Sequence, residues 1–430
     1  MSAKEILQSI INDFDISGFE QFFRQKHDKF NFPYEDLSID SLDNFSDGKK
    51  IAKAQLEDGE FIICSILVKK KLTERSGKKL QYEIGKQILK RHQADAGIFI
   101  FYDNSGSFRF SLIYTNYLGK RRDWSTFKRF TYFVSKNQTN KTFLKQIGDG
   151  DLSSIEKIKE AFSVEKVTKE FYEEIQGWYF WAMDKIKFPE DYQYSKDVVQ
   201  DKEIRNATNL IRLITRIIFI WFLKEKDNLV PADLFSKEKL EKIVRDFMKD
   251  QKASNFYNTI LQNLFFATLN QKMNERQFAE NKDYPADKKE YGVKNFYRYD
   301  DKFLINKNEF LKIFENIPFL NGGLFDCLDK EDETGRVVYI DGFSRNPAKQ
   351  AIIPDYLFFK ENEEAVDLSK YGLGKKQVRG LMEILNNYNF TIDENTPIDQ
   401  EIALDPELLG KVFENLLASY NPETATTARK

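Results

Sequence analysis

The chain has 430 residues, of which 41% are hydrophobic and 31% charged, and its formal net charge is −2. This length and apolar content allow two or three packed domains, and a charge near zero does not by itself indicate a nucleic-acid-binding protein. The two cysteines, Cys64 and Cys327, lie far apart in apolar segments, which is typical of a reducing, cytoplasmic compartment. With two histidines and no CxxC motif, the chain carries no pattern typical of a zinc site.

The N-terminal part of the chain alternates helix and strand patterns. Apolar spacing predicts a helix over 4–30, and Asp58-Gly59 between the apolar runs 51–56 and 61–68 predicts a hairpin. The run 61–68 is continuously apolar, as a central strand buried on both faces would be. A helix and two strands follow, at about 79–91, 97–102 and 108–114. The order helix, hairpin, helix, strand, strand is the core order of the PD-(D/E)xK nuclease fold, an α/β sandwich.

From about residue 151 the pattern becomes mainly helical, so the fold class is α+β with more than one domain. The run 210–223 is apolar but interrupted by Arg212 and Arg216, so we expect a buried helix and no membrane span. We expect Arg205, Arg212 and Arg216 to pair with helical acids and not with DNA. Helices are predicted over 203–226, 236–250, 254–270 and 375–387.

The C-terminal segment predicts a helix over 405–417 followed by a polar linker. Asp405 suits the N-cap and Pro406 the first helical position. The helix carries an apolar stripe of Leu408, Leu409, Val412, Phe413 and Leu416. Because the sequence ends soon afterwards, we expect this stripe to pack against a further domain, so that the chain is the front of a longer protein.

The segment LDPELLGKVFENLLASYNPETATTARK resembles the lead-in to the adenine-methyltransferase domain of fused restriction–modification enzymes of type IIG. Further stretches resemble the same class, namely LTERSGKKLQ, DAGIFIFYD, FRFSLIYT, RNATNLIRLITRIIFIWFLKEK, PFLNGGLF and IDGF. The resemblance covers most of the chain. It implies a PD-(D/E)xK-like nuclease domain over 1–150, a helical connector over 151–400, and a lead-in helix and linker over 401–430.

The same resemblance implies a function. It implies Mg²⁺-dependent cleavage of double-stranded DNA in defence against foreign DNA, coupled to adenine methylation by a C-terminal domain that this chain lacks. The methyltransferase and target-recognition domains are therefore expected partners. S-adenosylmethionine is expected only in the absent domain, and no methyltransferase activity is expected from this chain.

Nucleases of this fold hold Mg²⁺ with two carboxylates and use a lysine to position the attacking water. The lysine stands two residues after an acid near the end of the second core strand. Lys69 is in place, but Leu67 occupies the acidic position and has no oxygen to offer a metal ion. Gln81, at the start of the next helix, matches a helix position of the family.

Strand geometry identifies a candidate for the first acid. With Asp58-Gly59 as the turn, Lys69 lies opposite Gly48, and Asp58 is too far from Lys69 to share a metal ion. Asp47 can share a metal site with Lys69 if a β-bulge shifts the register of its strand by one residue. Glu74, in the loop after the strand, is the best replacement for the second acid. The predicted catalytic residues are Lys69, Asp47, Gln81 and Glu74, with Asp47 and Glu74 as metal ligands.

Residues 69–92 hold nine Lys or Arg against two acids, Glu74 and Glu83. A second basic cluster is Lys120-Arg121-Arg122, with Lys128 and Arg129 further along. Cationic side chains of this kind neutralise DNA phosphates, although a charge run is more often only a solvated surface. The predicted DNA-binding residues are Lys70, Lys71, Arg75, Lys78, Lys79, Arg121 and Arg122.

Two alternatives to an active nuclease remain open. Leu67 favours a catalytically degenerate nuclease-like module that binds DNA or docks a partner. The other alternative is a separate interaction protein of phage defence that acts through its helical half on another methylase. Dimerisation through an exposed apolar patch around Leu408, Val412 and Phe413 would favour the latter.

Overall fold

A computed structural model of the protein describes residues 1–39, 44–74, 76–118, 121–225, 228–280, 295–320, 322–334, 336–391, 399–404, 410, 414, 420–421 and 426–427. The chain divides into two compact units, one of residues 1–171 with 386–408 and the other of residues 172–385 with 409–430. Arg75 lies outside the described residues, as does the predicted helix 405–417 apart from Gly410 and Glu414. The proposed docking of that helix stays a prediction.

The first unit is built on a mixed sheet of seven strands. Six of them are β1 Glu35–Asp36, β2 Phe45–Leu56, β3 Gly59–Val68, β4 Ala96–Tyr102, β5 Phe108–Leu118 and β6 Arg121–Val134. They neighbour one another in this order, and the short strand Asp399–Glu401 follows β6. The pairs β3–β4 and β6 with Asp399–Glu401 are parallel, and the other pairs are antiparallel.

Five described α-helices lie in this unit, and a sixth, Val164–Met183, runs from it into the second unit. They are α1 Ala3–Asn12, α2 Ile16–Lys26, α3 Lys78–His92, α4 Lys141–Asp149, α5 Ile155–Ala161 and α6 Val164–Met183. The single helix expected over 4–30 is two helices, because the backbone is extended at Asp13 and Asp15 caps α2 by accepting a hydrogen bond from the Ser17 N–H.

The central strands β3 and β4 are buried on both faces, which confirms the prediction for 61–68. On one face, Ile62 and Cys64 of β3 pack in the same cluster as Ile84 of α3. On the other face, the ring of Phe110 in β5 stacks against Phe19 of α2 at 6.0 Å. The predicted order of elements is confirmed as an α/β layer arrangement, while its assignment to the PD-(D/E)xK fold stays a prediction.

The hairpin between β2 and β3 is confirmed, but its predicted register was wrong by two residues. Leu56 pairs with Gly59, so the two-residue turn is Glu57-Asp58 and not Asp58-Gly59. The cause is the role of Asp58, whose carboxylate accepts the N–H groups of Ile155 and Glu156, at 2.7 and 3.0 Å, at the start of α5. Asp58 is held there as a turn residue, far from the other end of β3.

A bulge lies at Asp47, which is the condition under which Asp47 could share a site with Lys69. The register shifts between Ser46 and Lys49, and Asp47 has a left-handed backbone with a φ of 48°. Ser46 consequently lies opposite Leu67. The bulge thus brings Asp47 beside the position where the family resemblance expects the second acid.

Between residues 198 and 385, besides short 3₁₀ helices, the second unit contains five described α-helices and a π-helix. These are α7 Val198–Glu225, α8 Lys237–Ile243, a π-helix Phe256–Leu269, α9 Lys307–Phe314, α10 Tyr356–Phe359 and α11 Leu381–Leu385. Every residue of the π-helix is buried. Short paired strands, Lys330–Glu331 with Val337–Val338 and Glu364–Asp367 with Lys375–Val378, complete this unit.

The helix predicted over 375–387 was wrong in its first half, where Lys375–Val378 is a strand. The helix begins only after Gly380, because the backbone there runs close to Phe358: a Cβ at Gly380 would lie 2.4 Å from the Phe358 carbonyl oxygen. The apolar spacing of Val378 with Leu381 and Leu385 therefore spans two elements.

Helix α7 is long and apolar enough to cross a membrane by length and composition, and 67% of its most apolar window is buried inside the protein. Its arginines pair with acids of the protein, but the prediction of helical acids is confirmed only for Arg205. Arg205 bonds to Asp201 on the same helix, whereas Arg212 and Arg216 bond to Asp341 in a loop. These contacts are those of a helix in a protein core.

Candidate nucleic-acid interface

The strongest concentration of charge in the described residues lies where β3 ends. The N–H of Lys69 donates to the Asn44 carbonyl at 3.0 Å, and residues 69–77, here called the β3–α3 loop, then lead to α3. The side chains of Lys69, Lys70, Lys71 and Lys79 are exposed and make no salt bridge with another described residue. This edge therefore presents cations that an external anion can approach.

The β3–α3 loop is fixed from beneath by Arg109, a fully buried residue of β5. Its guanidinium donates to the carbonyl oxygen of Thr73 at 2.7 Å and to Gln81 Oε1 at 3.0 Å. It also bonds to the carbonyl oxygens of Glu74 and Ser76. The carbonyls of Thr73, Glu74 and Ser76 consequently face inward, and the backbone of the loop is fixed at these residues.

Other bonds hold the same loop. The N–H of Leu72 donates to Asp103 Oδ2 at 2.5 Å, and the N–H of Thr73 donates to Ser76 Oγ at 2.8 Å. A second buried arginine, Arg129 of β6, donates to the Lys78 carbonyl at 2.7 Å. Arg129 was predicted as part of a surface cluster, and Arg109 was not predicted as a site residue. The one available signal was a lone arginine between Phe108 and Phe110 in a buried strand.

A cavity of about 240 Å³ lies between the β3–α3 loop and the start of α3, and we call it the α3 cavity. None of its lining residues is acidic. They are Asn44, Phe45, Val68, Lys70, Lys71, Leu72, Ser76, Gly77, Leu80 and Gln81. Two predicted DNA-binding lysines and Gln81 therefore meet at one place.

Asp47 lies on the opposite face of the sheet. Its carboxylate accepts a hydrogen bond from the Tyr102 hydroxyl at 3.3 Å and lies 3.3 Å from Lys49 Nζ. Tyr102 stacks on Phe14 at 4.9 Å, on the side of α1 and α2. Burial, and then the neighbouring Asp47 carboxylate, raise the pKa of Tyr102 to about 12, so its hydroxyl stays protonated and donates.

The predicted catalytic residues are thus only partly together. Asp47 and Lys69 lie at the same end of the sheet, because the bulge at Asp47 begins two residues after Asn44, the partner of the Lys69 N–H. Gln81 points to the α3 face, where Arg109 holds it. Glu74 is half-buried, and its carbonyl faces Arg109. The catalytic and metal-binding roles of these four residues stay predictions.

The donor set at this strand end does not fit a divalent cation. Leu67 lies between Ser46 and Tyr102 in the sheet and provides no oxygen. The carboxylate of Asp47 is engaged by Lys49 and Tyr102. Since Mg²⁺ prefers several oxygen ligands and commonly more than one carboxylate, we derive no catalytic step through a metal ion here.

The described residues contain one cluster with possible metal ligands, Cys327, Asp329 and Asp341, all buried. Asp329 accepts the backbone N–H groups of residues 340–343. Burial opposes ionisation of Asp341, but Arg216 and Arg212 outweigh it and hold the pKa of Asp341 below its usual value. These carboxylates bond to donors of the protein itself, so the cluster is structural.

The structure describes the side chains of only some of the other residues predicted to bind DNA. Lys78 is half-buried and Lys79 exposed at the start of α3. Arg121 and Arg122 pair with Leu118 and Tyr117 in the β5–β6 ladder, but their side chains lie outside the described part of the chain, as does Arg75.

No family model matches the chain, and no solved structure matches it. Over 268 residues the chain is 25% identical to a protein of Methanocaldococcus jannaschii described as "Putative type II restriction enzyme and methyltransferase". The match covers 59% of this chain and 17% of that relative, so the chain spans less than a fifth of the relative's length. The similarity supports a relationship to restriction–modification proteins. The type IIG subclass and the domain layout stay predictions.

Proposed function

We propose that this chain is the DNA-engaging part of a restriction–modification protein, and that the β3–α3 loop and the first turn of α3 contact the phosphate backbone of duplex DNA. The observation that carries the proposal is the set of exposed lysines on a loop whose backbone is held by Arg109. Because the loop is already ordered, it loses little conformational entropy on binding DNA, and less of the attraction between the lysines and the phosphates is offset.

Phosphate contacts position a protein on DNA but read no sequence. The exposed cations that the structure describes on this loop and the first turn of α3 are all lysines, namely Lys69, Lys70, Lys71 and Lys79. A lysine ammonium acts as a point charge, whereas the planar guanidinium of an arginine can recognise guanine through two hydrogen bonds. We therefore propose binding with little sequence choice by this chain. Sequence choice would come from the methyltransferase and target-recognition domains of the longer protein.

The test is the salt dependence of binding to a short duplex. The double variant Lys70→Ala/Lys71→Ala should lower the slope of log affinity against log salt by about 0.9 if both lysines contact one phosphate and by about 1.8 if they contact two, since each lost phosphate contact contributes about 0.9. The matched control is Lys166→Ala/Lys169→Ala, which removes the same charge from two exposed lysines of α6. Equal slopes for the two double variants would refute the proposal.

A second candidate function is Mg²⁺-dependent cleavage of the bound DNA. The bulge at Asp47 and the position of Lys69 at the same strand end favour it, whereas Leu67, which offers no oxygen to a metal ion, counts against it. A plasmid-nicking assay with Mg²⁺ or Mn²⁺ separates the two functions. Nicking by the wild-type chain that is lost in Lys69→Ala supports the nuclease. Absence of nicking, together with DNA binding, supports the catalytically degenerate module.

A further inference from the structure

We propose that the α3 cavity is an anion-binding site that seats one phosphate group of the DNA backbone directly, without a metal ion. This inference rests on the proposed function for the identity of the phosphate. The cavity itself carries the argument for an anion, through its charge, its helix terminus and one buried amide.

The charge of the cavity favours an anion. Lys70 and Lys71 line it, and no lining residue is an aspartate or a glutamate. At about 240 Å³ it has room for a phosphate group, since a water molecule takes about 30 Å³ in the liquid. A divalent cation would find there the Asn44 side chain and lysines, which are poor partners for it.

The start of α3 adds donors. Gly77 is the N-cap residue, its φ is 67°, and no side chain caps the helix. The first N–H groups of a helix have no partner within the helix, and the helix dipole places partial positive charge at this end. With 15 residues, α3 is a full-length helix whose N-terminus opens at the cavity lining formed by Gly77 and Leu80.

A buried amide nitrogen without a partner in the described part of the chain, that of Gln81, supports an anion site independently of the lysines and the helix terminus. Gln81 is fully buried and lines the cavity, and its Nε2 has no hydrogen-bond partner among the described residues. Its orientation is fixed, because Arg109 only donates and therefore requires the amide oxygen, Oε1, on its side at 3.0 Å. The atom left over is thus a donor, and its missing partner must be an acceptor such as a phosphate oxygen.

Gly77 borders this buried donor. A Cβ at position 77 would lie 3.4 Å from Gln81 Nε2, so a side chain there would cover the amide. The positive φ at the same position also favours glycine. The residue that starts the helix therefore places no side chain between the helix terminus, the Gln81 amide and the cavity.

The decisive variant is Gln81→Glu. It keeps an oxygen for Arg109 and replaces only the donor Nε2 with a second oxygen, so the loop support remains while a phosphate is repelled. The matched control is Gln87→Glu, which makes the same charge change at an exposed residue of α3, six positions further along the helix.

The first measurement uses inorganic phosphate alone. At 100 mM phosphate against chloride of equal ionic strength, the unfolding temperature of the wild-type chain and of Gln87→Glu should rise, because a ligand of the folded state stabilises it. The rise should be absent in Gln81→Glu. An equal rise in all three proteins would overturn the inference. If Gln81→Glu does not fold, Lys71→Glu against Lys166→Glu provides the same comparison.

The second measurement uses duplex DNA. Gln81→Glu should lower the salt slope by about 0.9, and Gln87→Glu should leave it unchanged. DNA binding with equal salt slopes in both variants would refute the anion site without contradicting the proposed function. A phosphate response that depends on Gln81, in a chain that does not bind DNA, would support the site and end the proposed function.

Discussion

Arg109 on β5 and Gln81 on α3 are 28 residues apart in sequence and are joined by a hydrogen bond of 3.0 Å beneath the β3–α3 loop. The same guanidinium holds three loop carbonyls, those of Thr73, Glu74 and Ser76. A buried arginine in a strand therefore holds the backbone of a surface loop that carries lysines predicted to bind DNA.

The first prediction concerns this support. Arg109→Met should keep most of the buried volume but leave the loop carbonyls without a donor, at a cost of about 1–3 kcal/mol for each buried group that stays unpaired. We expect faster amide hydrogen exchange at residues 72–77 and weaker DNA binding. Arg109→Lys should be only partly better, since an ammonium group cannot reproduce the planar fork.

The control for this prediction is Arg336→Met, which removes the same charge at an exposed residue of the second unit. It should leave exchange at residues 72–77 unchanged. Unchanged exchange in Arg109→Met as well would show that the loop keeps its shape without Arg109, contrary to our expectation.

Much of the first unit could be predicted from the sequence, because its signals are local. The continuous apolar run at 61–68 and the Asp-Gly hairpin signal identified a central strand and its partner. The register was wrong because the role of Asp58 is not local: its carboxylate binds the N–H of Ile155, 97 residues away. No spacing rule in a single sequence contains that contact.

The candidate site was predictable only in part, for the same reason. Lys69 to Lys79 stand out as a charge run, and the loop they occupy follows from the end of a strand. The position of Arg109 depends on the pairing of β4 with β5, which places Arg109 beside Phe101 and beneath α3. The orientation of the Gln81 amide depends in turn on its bond to Arg109. The face of the sheet on which the Asp47 carboxylate lies depends on the bulge and on the bond to Tyr102. Neither of these can be predicted from the sequence alone.

The second prediction concerns the buried pair of Arg216 and Asp341, whose side chains are 4% and 2% exposed. Asp341→Asn should lower the free energy of unfolding by about 3–5 kcal/mol, because it leaves two arginines without their carboxylate. The double variant Arg216→Met/Asp341→Asn should cost less than the sum of the single changes. Urea unfolding measures both.

The surface pair of Lys272 and Glu275 is the control, with side chains 63% and 50% exposed. Glu275→Gln should change the free energy of unfolding by less than about 1 kcal/mol. Similar costs for Asp341→Asn and Glu275→Gln would mean that burial of the Arg216 pair does not matter for stability.

The third prediction concerns pH. Burial raises the pKa of Asp355 from 3.8 to about 6, although the N–H groups of Phe256 and Met248 donate to its carboxylate. Between these values the folded protein binds the proton and the unfolded chain does not. The contribution of Asp355 to stability is therefore present below about pH 4 and is lost as the pH rises to about 6, by roughly 3 kcal/mol.

Asp355→Asn removes this titration and keeps one acceptor oxygen. The stability of the variant relative to wild type should rise between pH 4 and 6.5, measured by urea unfolding at each pH. Asp233→Asn changes an exposed carboxylate of the same unit and should show no such rise. A constant difference between Asp355→Asn and wild type across this range would contradict the raised pKa.

The last prediction concerns the position of the expected second acid. Leu67 pairs with Ser46, next to Asp47, and cross-strand neighbours have Cβ atoms about 5 Å apart. Leu67→Glu should therefore place a second carboxylate beside Asp47 and create a site for Mn²⁺ or Mg²⁺, detected by calorimetry or by the electron paramagnetic resonance of Mn²⁺. Leu67→Gln, of the same shape without the charge, should bind neither ion. If the two variants bind Mn²⁺ equally weakly, the carboxylate of Asp47 is not available to a metal at this strand end, and its bonds to Tyr102 and Lys49 are its whole role. If only Leu67→Glu binds the ion and then nicks plasmid DNA, the strand end retains the geometry of a nuclease and lacks one carboxylate.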